Sequence, residues 1–136
     1  MSGETDLDRL LAGMDPEIRP GVHVFATLAP DADIPEGLSP VLVFREAEGT
    51  TLVVERDAAA AAGIEGAFPS RMITLRVHSS LEAVGFLARI TTRLAEAGIS
   101  VNPVSAFHHD HLFVPADRAG EALALLRALA RGTGGG

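Results

Sequence analysis

Apolar residues recur along the chain with the spacing of helices in some segments and of strands in others. Between residues 80 and 97 they recur every three or four positions, which predicts a helix with one apolar face. Gly98 follows and is expected to end this helix. A similar series over residues 7–14 predicts a helix near the N-terminus. The apolar positions of the longer helix are Val84, Leu87, Ile90, Leu94 and Ala97.

The first half of the chain alternates strand-like segments with a loop and ends in a short helix. Residues 21–29, "GVHVFATLA", are rich in strand-forming residues. Three prolines in "PDADIPEGLSP" exclude a helix from the segment that follows. "VLVFREAEGTTLVVER" predicts a hairpin in which Gly49 supplies the turn. Asp57 is expected to cap a short alanine-rich helix, which Gly63 stops.

The second half has the same kinds of element and adds a long helix between its first two strands. Residues 71–78 predict a strand before that helix. "ISVNPVSAF" and "HLFVPA" predict two further strands joined by "HHD". Asp117 is expected to cap a final helix, and "GTGGG" is expected to form a frayed tail.

Similar segments recur at an offset of 60 residues. Residues 51–63 align with residues 111–123, and both read as an apolar strand followed by an aspartate and a helix. We therefore predict two units, residues 1–66 and 67–136. The first unit lacks a helix between its first two strands, because the proline-rich loop occupies that place.

The order strand, helix, strand, strand, helix matches the ferredoxin-like βαββαβ plan without its last strand. The predicted class is α+β, with two such units whose antiparallel sheets carry helices on one face. An uncovered sheet edge promotes aggregation, so another segment must take the place of the missing strand. We expect the other half of the chain or a second chain to supply it, and we expect a homodimer.

Composition and charge exclude several classes of partner and chemistry. The net charge is −7, and the 11 basic residues are all arginines scattered along the chain, which argues against nucleic acid as a partner. Without cysteine, disulfides and thiolate chemistry are excluded. No apolar run is long enough to span a membrane, so no membrane partner is expected. The N-terminus lacks the pattern of a signal peptide, and we expect a cytoplasmic protein.

Histidine and serine residues raise the question of a metal site or an enzyme. If residues 109–110 formed the hairpin turn, His108 and His111 would be cross-strand neighbours able to share a metal. The simpler interpretation is a polar, hydrated turn that Asp110 stabilises, and we expect neither a metal nor another cofactor. His78 directly precedes Ser79, so on an extended strand their side chains diverge and do not form a nucleophile and base. We therefore expect no enzymatic activity.

"HSSLEAVGFL", residues 78–87, has the features of a loop that binds an anion. The N–H groups at the start of a helix can accept a carboxylate. Gly85 permits close approach of another backbone segment or a ligand, and either Glu82 or exposed strand carbonyls could receive an ammonium group. Two simpler explanations stay open. Ser79 and Glu82 could form a capping box, and Gly85 could serve packing alone.

The stretch "EAVGFLARITTRLAEAGISVNPVSA" resembles the ACT domain family. An acid, two residues, a glycine and the following apolar helix fall in register with that family's pattern. "HSSLEAVG" and "HDHLFVP" resemble small bacterial proteins of two tandem ACT-like units more specifically. The resemblance covers residues 68–131 well and the first half only by strand order. It implies the ferredoxin-like fold, paired units and binding of small ligands, usually amino acids.

The resemblance also implies a location for the ligand, between the first strand and first helix and against the second strand. Two positions depart from the family's pattern, since Glu82 replaces the usual aspartate and Val84 replaces a common proline. Carried over by position, the candidate ligand-binding residues are His78, Ser79, Ser80, Leu81, Glu82, Ala83, Val84, Gly85, Asn102, Val104, Ser105 and Ala106.

Together these features predict a non-enzymatic regulatory protein that senses a small molecule, and the expected ligand is an amino acid. The ligand is expected near an interface between units. The alternative is a structural or protein-interaction module whose ligand site has decayed.

Overall fold

A computed structural model describes residues 5–135 of the chain, with side chains as far as residue 132. The chain forms two compact units. The middle unit consists of residues 21–70, and the terminal unit combines residues 5–20 with residues 71–135. The compact units group residues by their contacts and join the N-terminal segment to the second half of the chain. The division of the sequence into two related segments, 1–66 and 67–136, therefore stays a prediction.

The middle unit is an antiparallel sheet with one short helix. Its strands are β2, β3, β4 and the first part of β5, in the order β3-β4-β2-β5. This is the strand order of a ferredoxin-like unit, in which the fourth strand pairs with the first. Val24, Leu52, Val54 and Ala59 form its core. The elements are β2 (His23–Leu28), β3 (Leu42–Glu46), β4 (Gly49–Glu55), α2 (Arg56–Ala61) and β5 (Ala67–Leu75).

Residues 29–41 of this unit contain no helix, which confirms the expectation from the prolines. Gly63 ends α2 with φ +71°, also as expected. The role given to Gly49 was wrong, because Glu46 pairs with Gly49 across a two-residue turn that lies before the glycine. A Cβ at Gly49 would clash with the carbonyl oxygen of Leu28, so close approach of two strands requires glycine there.

The caps predicted for two helices were also wrong. Glu55 is the N-cap of α2 and makes no side-chain capping bond, while Asp57 lies inside the first turn. Asp117 lies in a short 3₁₀ turn, residues 116–118, that precedes α4. Helix α4 continues to Gly135, through most of the segment predicted as a frayed tail, because each added residue extends the same hydrogen-bond ladder. Gly136 lies outside the described residues.

The terminal unit contains the longer helices. Its strands are β1, the second part of β5, β6 and β7, in the order β1-β5-β7-β6. This is again the ferredoxin-like order, here with β1 in the place of the fourth strand. The elements are α1 (Leu7–Ala12), β1 (Pro16–Ile18), α3 (Phe86–Glu96), β6 (Asn102–Ser105), β7 (Asp110–Pro115) and α4 (Ala119–Gly135).

Strand β1 supplies the strand that the sequence lacks after its last helix. It pairs antiparallel with β5, with Ile18 opposite Ile73. Beyond the strand ends, the N–H of Arg76 donates to the carbonyl of Met14 at 2.7 Å. Glu17 accepts from the Arg76 guanidinium at 2.8 Å, and this hydrogen bond holds the pKa of the Glu17 carboxyl below its usual value. Of the two suppliers expected for this edge, the other half of the chain and a second chain, the first is the one observed.

Helix α1 buries its apolar side in the core of the terminal unit. Asp6 caps the helix by accepting from the N–H of Arg9 at 3.1 Å. Leu10, Leu11 and Met14 are fully buried and belong to the same core cluster as residues of α3, α4, β5 and β7. The N-terminal segment is therefore an integral part of this unit. Among the described helices, none is long and apolar enough to cross a membrane.

Leu10→Ala tests whether the N-terminal segment stabilises the fold. Leu10 has no exposed surface, so the truncation is expected to lower the free energy of unfolding by about 2–5 kcal/mol. The matched control is Leu81→Ala, because the Leu81 side chain is mostly exposed and its loss is expected to change stability by less than about 0.5 kcal/mol. Denaturant titration followed by circular dichroism measures both values. Equal effects would show that α1 does not contribute to the core.

Candidate functional site

A buried carboxylate lies at the centre of the candidate site. Asp110 is the first residue of β7, and only 5% of its surface is exposed. Its Oδ2 accepts a hydrogen bond from Ser79 Oγ at 2.7 Å, and its Oδ1 accepts one from Ser105 Oγ at 2.6 Å. A carboxylate can accept about four hydrogen bonds, so both oxygens keep a lone pair for a further donor. Asp110 thus connects the loop after β5, the end of β6 and the start of β7.

The loop after β5 has its own local hydrogen bonds. Ser80 Oγ accepts from the N–H of Glu82 at 3.0 Å, and the Ser80 carbonyl accepts from the N–H of Ala83 at 3.0 Å. The capping box between Ser79 and Glu82 is absent, because the N–H of Glu82 donates to Ser80 Oγ and not to Ser79. Helix α3 begins at Phe86 and not at residue 80, as the apolar spacing predicted, because the left-handed backbone of Gly85 (φ +88°) cannot belong to a right-handed helix.

Gly85 is the N-cap of α3 and has φ +88°, a left-handed conformation. A Cβ there would meet only the Leu7 side chain at 3.9 Å, so the backbone conformation rather than a lack of space requires glycine. No side chain caps this helix end. The first N–H groups of α3, those of Phe86 and Leu87, therefore have no partner within the helix and carry the positive end of its dipole.

A cavity of about 120 Å³ lies where these features meet. Three larger clefts, of about 790 Å³, 600 Å³ and 290 Å³, have no buried ionisable group in their walls. The small cavity alone among these four combines a buried carboxylate with an open helix start. Its walls are formed by Ser79, Ser80, Leu81, Ala83, Gly85, Phe86, Leu87, Ala88, Ser105 and Asp110.

Six of the predicted ligand-binding residues line this cavity and six do not. Those outside its walls are His78, Glu82, Val84, Asn102, Val104 and Ala106. Asn102 and Val104 belong to β6 and pair with β7, opposite Phe113 and His111. Val84 is largely exposed, and the His78 ring lies against the His108 ring with centroids 5.6 Å apart.

Sequence reasoning missed Asp110 and the first residues of α3. The sequence suggests that Asp110 stabilises the turn, because the register of β6 and β7, which decides its place in the hairpin, cannot be read from the sequence alone. That register pairs Ser105 with Asp110 and puts residues 106–109 in the turn. The only available signal was the sequence "HHDH", which drew attention to its histidines instead.

The histidines do not assemble a metal site. His111 pairs with Val104 across the strands, while His108 lies in the turn, so the two are not the cross-strand neighbours considered from the sequence. Within residues 5–135 no group of three or more His, Cys, Asp or Glu side chains could hold a metal ion. His111 Nδ1 is 3.0 Å from the hydroxyl of Thr74. Burial lowers the pKa of the His111 imidazole, and the nearby His109 acts in the same direction.

Two family models match the chain, one over residues 2–71 and the other over residues 67–128, and both describe an ACT domain. The chain belongs to the ACT domain family. The matches lie in tandem and overlap by a few residues at β5. The second match confirms the resemblance seen in residues 68–131, and the first match extends it to the first half of the chain. ACT domains are regulatory modules.

Solved structures share the same arrangement. A Vibrio cholerae protein of unknown function, described as a possible transport protein, is 43% identical, with a TM-score of 0.81 over 91% of this chain and 95% of its own. An Agrobacterium tumefaciens protein is 21% identical, with a TM-score of 0.72 over 85% and 87% of the two chains. The ligand-free regulatory subunit of aspartate kinase from Thermus thermophilus is 12% identical, with a TM-score of 0.59 over 84% and 95%. No curated protein matches the chain.

The lowered pKa of His111 makes stability depend on pH. The folded protein favours the neutral imidazole of His111. Its contribution to the free energy of unfolding is therefore fully present above the ordinary histidine pKa of about 6.5, and it is lost as pH falls through the lower folded-state pKa. Because His111→Gln removes this titrating group, the free energy of unfolding is expected to fall less between about pH 7 and pH 5 in the variant than in the wild type. Denaturant titrations at several pH values in that range measure the free energy of unfolding of both proteins. His108→Gln, in the turn, serves as the control, and an equal reduction there would contradict this assignment.

Proposed function

We propose that this ACT protein is a regulatory protein that binds a small amino acid in the cavity of its terminal unit. The observation that carries the proposal is the buried Asp110 carboxylate, which shares a cavity of about 120 Å³ with the start of α3. A free amino acid has one positive and one negative group attached to the same carbon. The cavity presents an acceptor for the first and donors for the second.

The ammonium group is proposed to bind Asp110. The hydroxyls of Ser79 and Ser105 donate to this carboxylate and hold it in place, while its remaining lone pairs are available to the ligand. A hydrogen bond between an ammonium and a carboxylate is stronger than one between neutral groups, especially where water is excluded. Ser79 and Ser105 thus serve as positioning residues in this arrangement, and Glu82, which lies outside the cavity walls, has no role in it.

The carboxylate group is proposed to bind the N–H groups of Phe86 and Leu87 at the start of α3. No side chain competes for these donors, and the helix dipole favours an anion there. The size of the cavity limits the side chain of the ligand. Because one water occupies about 30 Å³ in the liquid, 120 Å³ corresponds to about four waters, enough for a small amino acid.

The regulatory part of the proposal is that the ligand shifts the packing of two copies or units. Such a shift requires the ligand to bind the two arrangements with different affinities. The fold supports this role, since the Thermus thermophilus protein of similar fold is named as a regulatory subunit. The proposal includes a cytoplasmic homodimer without enzymatic activity, cofactor, membrane or nucleic-acid partner. Its alternative is a structural module with a decayed site.

Thermal-shift screening and calorimetry with the twenty amino acids test the binding proposal. At least one small amino acid is expected to raise the melting temperature. Its 2-hydroxy acid analogue is expected to have no effect, because it has no ammonium group to pair with Asp110. No shift with any amino acid at millimolar concentration would contradict the proposal and favour the structural module.

Asp110→Asn tests the role of the buried carboxylate. The loss of a charge-assisted hydrogen bond is expected to weaken binding of the identified amino acid about 10- to 100-fold in calorimetry. The matched control is Asp117→Asn, an exposed aspartate outside the cavity, which is expected to leave the affinity unchanged. Equal affinities for wild type and Asp110→Asn would exclude Asp110 as the ammonium acceptor.

A further inference from the structure

The N-terminal segment, residues 5–20, contacts both ends of the loop that carries the candidate site. This site loop runs from Arg76, directly after β5, to Gly85, the N-cap of α3. Half of the residues that line the cavity of about 120 Å³ belong to it. No residue of the segment 5–20 lines the cavity itself. The segment can therefore affect the site only through the position of the loop.

The first end of the site loop is held by β1 and the residues before it. The N–H of Arg76 donates to the Met14 carbonyl at 2.7 Å, and the Arg76 guanidinium donates to Glu17 Oε1 at 2.8 Å. The Val77 side chain lies beside Gly13, where a Cβ would meet its Cγ2 at 3.9 Å. A backbone bond, a charged bond and an apolar contact thus fix the two residues at which the loop begins.

The second end of the site loop is held by α1. The Leu7 side chain lies beside Gly85, because a Cβ at Gly85 would meet Leu7 Cδ2 at 3.9 Å. Leu7, Val77 and Ala83 are partly buried and pack against one core cluster, to which α1 contributes two fully buried leucines. Helix α1 therefore supports the backbone at the point where α3 begins.

Between its two ends the site loop has features of a segment that opens easily. The Leu81 and Val84 side chains are 64% and 85% exposed. The N–H of Ala83 donates to the Ser80 carbonyl, a backbone bond that spans only three residues. Segments with exposed side chains and short-range hydrogen bonds open at a lower free energy than the core. The order of this loop therefore depends on how firmly its ends are held.

We propose that the N-terminal segment regulates the candidate site by holding the site loop in place, with Leu7 and Glu17 as positioning residues. Neither side chain lines the cavity, since Leu7 acts through Gly85 and Glu17 acts through Arg76. While the segment is docked, the loop keeps its serine hydroxyl on the buried carboxylate and the first N–H groups of α3 at the cavity. When the segment loosens, these groups separate and the site loses its geometry.

This arrangement makes docking of the N-terminal segment and binding in the cavity depend on each other. A ligand that requires the ordered loop binds the docked state more tightly than the loosened state. By linkage, the same ligand favours docking of the segment by the same factor. This coupling rests on the proposed function, whereas the hold on the loop does not.

Hydrogen exchange measured by NMR tests the hold on the loop in the full chain without ligand. The reporters are the amides of Glu82 and Ala83, which are both hydrogen-bonded within the loop. Leu7→Ala and Glu17→Gln are each expected to accelerate exchange at both reporters about twofold or more, because each removes one contact that limits opening. Glu17→Gln changes only an exposed side chain, so it decides the matter if Leu7→Ala fails to fold.

The matched controls remove the same groups elsewhere in the terminal unit. Leu125→Ala truncates a leucine of α4 that is likewise partly buried against the core. Glu121→Gln removes a carboxylate that likewise accepts from an exposed arginine, Arg118, at 2.8 Å. Both controls are expected to leave exchange at the two reporters unchanged. Equal acceleration in the controls, or no acceleration in Leu7→Ala and Glu17→Gln, overturns the proposal.

Calorimetry and hydrogen exchange with glycine, alanine and serine as probes test the coupling. A probe that binds is expected to slow exchange at the amides of Arg19 and Arg76, whose bonds to the Met72 and Met14 carbonyls dock β1. Leu7→Ala is expected to weaken its binding about fivefold or more. Binding that changes neither amide and is equally tight in the variant overturns the coupling.

The two arms separate this inference from the proposed function. Faster loop exchange in both variants of a protein that binds none of the three probes supports the hold on the loop and contradicts only the binding of a small amino acid. Unchanged loop exchange in both variants of a protein that binds a probe contradicts the hold on the loop and leaves the proposed function standing.

Discussion

The pairing of β1 with β5 is the interaction on which the terminal unit depends. Residues 71–136 provide three strands and two helices, which leave one side of β5 open. Strand β1 closes it, and the helix before β1 inserts Leu10 and Leu11 into the same core. A sheet with an open side exposes both backbone polar groups and apolar side chains. The N-terminal segment therefore completes the unit that contains the candidate site, although it lies far from that site in the sequence.

The candidate site shows how tertiary contacts assign roles to polar residues. Ser79, Ser105 and Asp110 come from three separate segments and meet only because β7 lies between β5 and β6. A buried carboxylate is costly unless hydrogen bonds satisfy it, and the two serines do so. Helix α3 starts only after the left-handed Gly85, so Ser79 serves Asp110 and no side chain caps the helix. The two serines thus account for the buried charge, and the backbone of Gly85 accounts for the open helix start.

Much of the fold could be predicted from the sequence, because its signals are local. The spacing of apolar residues located α3, the prolines excluded a helix after β2, and the left-handed glycines Gly63 and Gly98 marked helix ends. The site could be predicted only in part. The loop and Ser105 were found by resemblance to a family pattern, but Asp110 required the register of β6 and β7. Register depends on which side chains become buried together, and such contacts join residues distant in the chain.

The sequence by itself determined the α+β class, the tandem arrangement of related units and the positions of most helices and strands. Tertiary structure alone decided which strand completes the terminal unit, where α3 begins and which acid lies in the cavity. Hydrophobic periodicity and backbone preference act over a few residues and are readable along the chain. Strand partners and buried charges are chosen by the free energy of the whole packed unit, to which residues from both ends of the chain contribute.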